Sequence, residues 1–81
     1  MRNLKIIAIT SPVFFKGEAE RINAILTKGQ AEIIHIRKPD SSVEEVEDLL
    51  KKINPGFHRQ IKLHDHFELL ESFDLMGIHL N

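Results

Sequence analysis

The stretch "IIHIRKPD", residues 33–40, decides how this chain is read. Its isoleucines make a short strand that is covered on both faces, and Pro39 ends it because proline has no N–H for the ladder. His35 and Arg37 stand two apart, so both project to the same side of the strand. An unpaired guanidinium in a dry core is very costly. A strand of this composition therefore needs a polar rim at its C-terminal end.

Working outward, the same pattern repeats. Residues 4–10, LKIIAIT, read as a buried strand stopped by Ser11-Pro12. Residues 18–28 read as a helix with Ala19, Ile22, Ile25 and Leu26 on one stripe, and Gly29 follows at the C-cap. Residues 31–37 are the second strand. Ser42-Val43-Glu44-Glu45 is a capping box that opens a helix with Val43, Val46, Leu49, Leu50 and Ile53 on one face. Lys51 and Lys52 suit the negative end of its dipole, and Asn54-Pro55-Gly56 stops it. Residues 60–64 form a third strand. A short helix through Phe67, Leu69 and Leu70 follows, capped by Asp65 or His66, and residues 76–80 make a fourth strand. The order is β-α-β-α-β-α-β, which implies parallel strands with right-handed crossovers. An open doubly wound sheet and a (β/α) barrel both have this order.

The 81 residues allow one domain, 1–81. A net charge of −1 gives no basis for a nucleic-acid or membrane surface. The chain has no cysteine, which rules out disulfides and thiolate zinc sites. The N-terminal apolar run is too short for a signal peptide and no stretch is long enough to span a bilayer, so the expected location is the cytoplasm.

In every strand the polar side chains come late: Thr10-Ser11, then His35-x-Arg37, then His64-Asp65-His66, then His79 and Asn81. Parallel strands bring these ends to one edge, where α/β folds place their sites. Arg37 there can hold a phosphate through its planar fork, or pair with a carboxylate at the strand end. For His35 a hydrogen-bonded core histidine is the commoner reading, beside a ligand-contacting one. The spacing of His64 and His66 suits two ligands of one metal ion on a strand, the alternative reading of His66 is a cap on the next helix, and Asp65 is either an N-cap or a magnesium ligand. His58 falls in the loop before the third strand and is expected to be solvated. The acidic run Glu44, Glu45, Glu47, Asp48 reads as a solvated helix face.

With these residues placed, the chain resembles the thiamine-phosphate synthase and thiazole tautomerase superfamily of (β/α)8 barrels. The resemblance rests on "AIT" at 8–10, "IHIR" at 34–37, "HDHFELL" at 64–70 and "GIHL" at 77–80. The synthases carry Gln-x-Arg-Glu-Lys at the second block, and the tautomerase branch is similar to the His-Ile-Arg written here. The resemblance implies an α/β fold that is the N-terminal half of a TIM (β/α)8 barrel. It also implies thiamine biosynthesis: a pyrimidine pyrophosphate and a thiazole phosphate are joined with the help of magnesium. Arg37 would take the pyrophosphate-holding position and Asp65 the magnesium position. His35, His64 and His79 would line the substrate site.

Several positions depart from the synthase pattern: Pro39 replaces a Lys, Lys38 a Glu, His64 an Asn, Ser11 an Asp and Asn81 a Gly. The alternation of strand side chains turns Lys38 away from the missing Lys position. These departures keep two other readings open, a thiazole tautomerase-like isomerase and a diverged phosphate-binding domain without catalysis. A barrel needs roughly 200 residues or more. The 81 residues alone are therefore expected to be inactive, and a homo-oligomer is compatible with open edges at strands 1 and 4.

Overall fold

A computed structural model describes residues 5–80; Leu4, where the first strand was expected to begin, and Asn81 lie outside the described residues. Four strands form one sheet: β1 (Ile7–Ile9), β2 (Ile33–Ile36), β3 (Ile61–Leu63) and β4 (Gly77–Ile78). All three pairings are parallel, and the spatial order is β1-β2-β3-β4. This order settles the choice that the element pattern leaves open. Each crossover steps one strand in the same direction, as in a barrel wall, whereas a doubly wound sheet reverses its order at a switch point. The chain is an arc of parallel α/β barrel.

Two helices cover one face, α1 (Glu18–Thr27) and α2 (Val43–Lys52). The capping box at Ser42 forms as the sequence predicts: Glu45 N donates to Ser42 Oγ at 3.1 Å and Ser42 N donates to Glu45 Oε1 at 2.9 Å. At the end of α1, Gly29 takes a φ of 68°, and Gln30 N donates to Ile25 O while Gly29 N donates to Leu26 O. This is the Schellman arrangement, and a side chain at Gly29 would strain it. Asn23 of α1 ties the two helices, donating to Lys52 O at 3.1 Å and accepting from Asn54 N at 2.8 Å.

The third crossover is not an α-helix. It is a five-residue 3-10 helix, Phe67–Glu71, and a second 3-10 helix, Pro55–Gln60, precedes β3. The capping expected from Asp65 or His66 is absent: His66 sits at a left-handed φ of 57° with no side-chain cap bond, and Asp65 bonds elsewhere. Without a cap and with few residues before β4, the tighter 3-10 turn replaces the longer helix.

The two faces of the sheet have opposite chemistry. Ile34, Ile36, Ile61 and Leu63 point under the helices and join Leu26, Val46, Leu50 and Ile53 in the apolar core. On the other face the register aligns Ile9, His35, Lys62 and Gly77, and the next positions along β3 and β4 are His64 and His79. Ile7 and Ile9 on this face are 49% and 60% exposed.

Lys38 is fully buried just past β2. Its ammonium lies 2.7 Å from Glu18 Oε2, donates to Ser11 O at 2.7 Å and Val13 O at 2.8 Å, and rests 4.5 Å from the Phe14 ring centroid. It thus fastens the β1–α1 loop and the first residue of α1 to the end of β2. Removing one partner of a buried pair strands the other charge and costs about 3–5 kcal/mol. Lys38→Met is expected to lower stability by that order, and adding Glu18→Leu to recover part of the loss, as read by urea unfolding. Equal destabilisation by the single and double variants would show that the pair contributes packing rather than charge.

Candidate functional site

The ladder fixes three histidine backbones at one edge. Thr10 N donates to His35 O at 3.0 Å, His64 N to Ile36 O at 3.0 Å, and His79 N to Leu63 O at 2.8 Å. Period-two alternation then sends the three imidazoles to the face opposite the helices. His35 Nδ1 and His64 Nε2 are 2.8 Å apart. The His35 ring stands edge-on to His64 at 5.0 Å between centroids and tilted to His79 at 5.0 Å, and His64 stacks on His79 at 4.6 Å. One ring nitrogen from each lies within 4.8 Å of the other two. His35 and His64 are buried and His79 is exposed, so the cluster has a covered floor and an open side.

Electrostatics disfavour a charge on His35, the most enclosed ring of the cluster together with His64. Burial first, then the His64 and His79 rings and the Lys62 ammonium, hold His35 below its ordinary pKa of 6.5. Lys62 is the register partner of His35 on the same face, which accounts for its influence.

The other expected site residues are arranged differently. Arg37 is exposed, and among the described residues its backbone rather than its guanidinium is engaged: Arg37 N donates to Thr10 Oγ1 at 3.1 Å, and Thr10 Oγ1 lies 3.4 Å from Arg37 O. The two ion pairs among the described residues are Lys38–Glu18 and Arg59–Asp74, so Arg37 does not pair with a strand-end carboxylate there. Asp65 is half-buried, and its Oδ2 accepts from Lys38 N at 3.3 Å.

His64 and His66 do not converge. The left-handed turn at His66 breaks the alternation, and His66 Nε2 lies 2.9 Å from Ser41 O and 3.1 Å from Ser41 Oγ. His58 is a second correction. It is buried, with Nε2 at 3.0 Å from Leu50 O and 3.2 Å from Ile53 O, and it clips the end of α2 instead of facing water. Lys38 was expected only to face away from the phosphate side. Its buried partner, Glu18, had no signal in the sequence beyond the early acidic residue of a helix.

The sequence matches no protein-family profile and no curated protein. A solved structure does match: the thiamine phosphate pyrophosphorylase from Bacteroides thetaiotaomicron is 45% identical, with a TM-score of 0.92. The match covers 96% of this chain and 39% of that one, so this chain spans well under half of the neighbour's length. Among the described residues no helix is long and apolar enough to cross a membrane.

A lowered His35 pKa makes stability depend on pH with a definite sign. Below its ordinary value of 6.5 the unfolded chain takes up a proton that folded His35 resists, so its contribution is complete above that pH and falls as the pH drops toward the folded value. Urea midpoints should therefore fall between about pH 7.5 and about pH 5, and His35→Gln should flatten that slope. An unchanged slope in the variant would assign the pH dependence to other groups.

Proposed function

Because this chain is related in sequence and fold to the thiamine-phosphate synthase superfamily, as its likeness to the Bacteroides enzyme shows, we propose that it serves thiamine biosynthesis. As part of a full-length barrel it acts as a thiamine-phosphate synthase-like enzyme, joining a pyrimidine pyrophosphate to a thiazole phosphate. The supporting observation is the 45% identity at a TM-score of 0.92 to a protein of that name.

The chemistry at the sheet edge is compatible with such ligands. Arg37 is exposed there with its guanidinium outside both ion pairs of the described residues, so its fork is available to a pyrophosphate. The imidazoles of His35, His64 and His79 can each hydrogen-bond to the guest. Asp65 fits a magnesium role in part. It supplies one half-buried carboxylate beside the strand end, and magnesium commonly takes one or two carboxylates with phosphate oxygens and water completing its shell. Bound magnesium would neutralise the departing pyrophosphate. Arg37 would orient that group, and the histidines would shape the floor beneath the pyrimidine.

The test supplies a full-length barrel protein that contains this chain with both phosphorylated precursors and magnesium and measures thiamine phosphate, alongside calorimetric titration with each precursor. Product is expected, with Arg37→Ala lowering kcat/KM by about 10- to 100-fold, equivalent to ~1.4–2.7 kcal/mol of transition-state stabilisation. Tight binding of the thiazole phosphate with no turnover would favour a phosphate-binding domain without catalysis. Absence of both binding and product would reject the assignment.

A further inference from the structure

We propose that His35, His64 and His79 form a binding site for a divalent first-row transition ion of the zinc, cobalt or nickel class. This inference goes beyond the thiamine reading and does not rest on it. The oxygen-ligated magnesium considered for Asp65 is a different site with different chemistry.

Three observations carry the inference. One nitrogen from each ring lies within 4.8 Å of the others. Around a tetrahedral ion with metal–nitrogen bonds of ~2.0–2.1 Å, ligand nitrogens stand about 3.3 Å apart. The His35–His64 nitrogens at 2.8 Å need only open slightly, and the more distant pairs close by at most about 1.5 Å. Second, the scaffold is rigid. All three residues are held by ladder hydrogen bonds on three adjacent strands, so closure needs side-chain rotation and no backbone change. Third, His35 and His64 are buried while His79 is exposed, so an ion entering from the open side meets two shielded ligands.

The donor set selects the ion. Three imidazoles suit zinc, cobalt, nickel or copper, whereas magnesium and calcium prefer oxygen. Exposure of His79 leaves one side of the cluster open, so a water or an oxygen of a small ligand would take the fourth position. Three histidines with an open position are the arrangement of catalytic rather than structural zinc. The proton now shared between His35 Nδ1 and His64 Nε2 moves to another ring nitrogen when both atoms turn to the ion. Lys62 opposes binding, since its ammonium lies on the same face at the register position of His35.

The experiment titrates the protein with zinc by calorimetry at about pH 7.5 and repeats it with magnesium. One zinc per chain is expected, with magnesium leaving the histidines untouched. His79→Ala, at an exposed position, should weaken zinc binding by more than about 100-fold, while His66→Ala should leave it unchanged and Lys62→Ala should tighten it a few-fold. Should His79→Ala not fold, cobalt substitution of the unaltered protein decides instead. Intense visible bands of a four-coordinate ion support the site, and the pale spectrum of a six-coordinate ion overturns it. No saturable zinc binding, or binding that survives His79→Ala and disappears in His66→Ala, also overturns it.

Discussion

Strand alternation in a four-strand parallel sheet is the constraint on which everything else in this structure depends. It sends Ile34, Ile36, Ile61 and Leu63 beneath two helices and His35, Lys62, His64 and His79 to the opposite face. A slip of one residue in any strand would exchange these sets, burying imidazoles among isoleucines and exposing the core. Register is therefore held by the strongest force available, the removal of apolar side chains from water. The histidine cluster follows from that register, which brings His35 Nδ1 and His64 Nε2 within 2.8 Å.

This is also why the fold could be read from the sequence while parts of the site could not. Apolar periodicity, the Ser42 capping box and Gly29 at the end of α1 are local signals, and each formed where the sequence put it. The polar ends of the strands were legible in the same way, because parallel strands bring their C-terminal ends together. What alternation cannot state is the partner. Lys38 and Glu18 are 20 residues apart and meet only after β2 and α1 pack. His58 looked like a loop residue because its acceptors, the Leu50 and Ile53 carbonyls, are backbone groups at a helix end and have no sequence signature. His66 left its expected face because one left-handed φ, at a residue with a side chain, interrupts the strand period.

The arrangement divides labour between buried and exposed charge. Lys38, the most deeply buried cation, is saturated by Glu18 and two carbonyl oxygens, and so it is structural. Its role is to hold the β1–α1 loop against the end of β2, close to the edge where Arg37 stands. Arg37 keeps its guanidinium outside such networks. An exposed cation gains little from a surface carboxylate and much more from a multiply charged anion with parallel acceptors. Burying the neighbouring lysine and leaving the arginine at the rim thus separates a loop clamp from the exposed guanidinium that the proposed function assigns to anion binding, although the two residues are adjacent in the chain.

An ion in the histidine cluster and an anionic guest at the rim would reinforce one another. Lys62 weakens the hold of the inner face on a divalent cation, because like charges repel. A phosphate or pyrophosphate above the cluster reverses that balance: its negative charge offsets Lys62 and Arg37 and can supply the oxygen for the open coordination position left by exposed His79. Coupling of this kind is reciprocal, so the metal would raise affinity for the anion by the same factor as the anion raises affinity for the metal. The neutral state of His35, held by burial and by its cationic and imidazole neighbours, keeps both roles compatible. A protonated His35 would bind an anion but exclude the ion, whereas a neutral one can donate a hydrogen bond or a lone pair according to which ligand arrives.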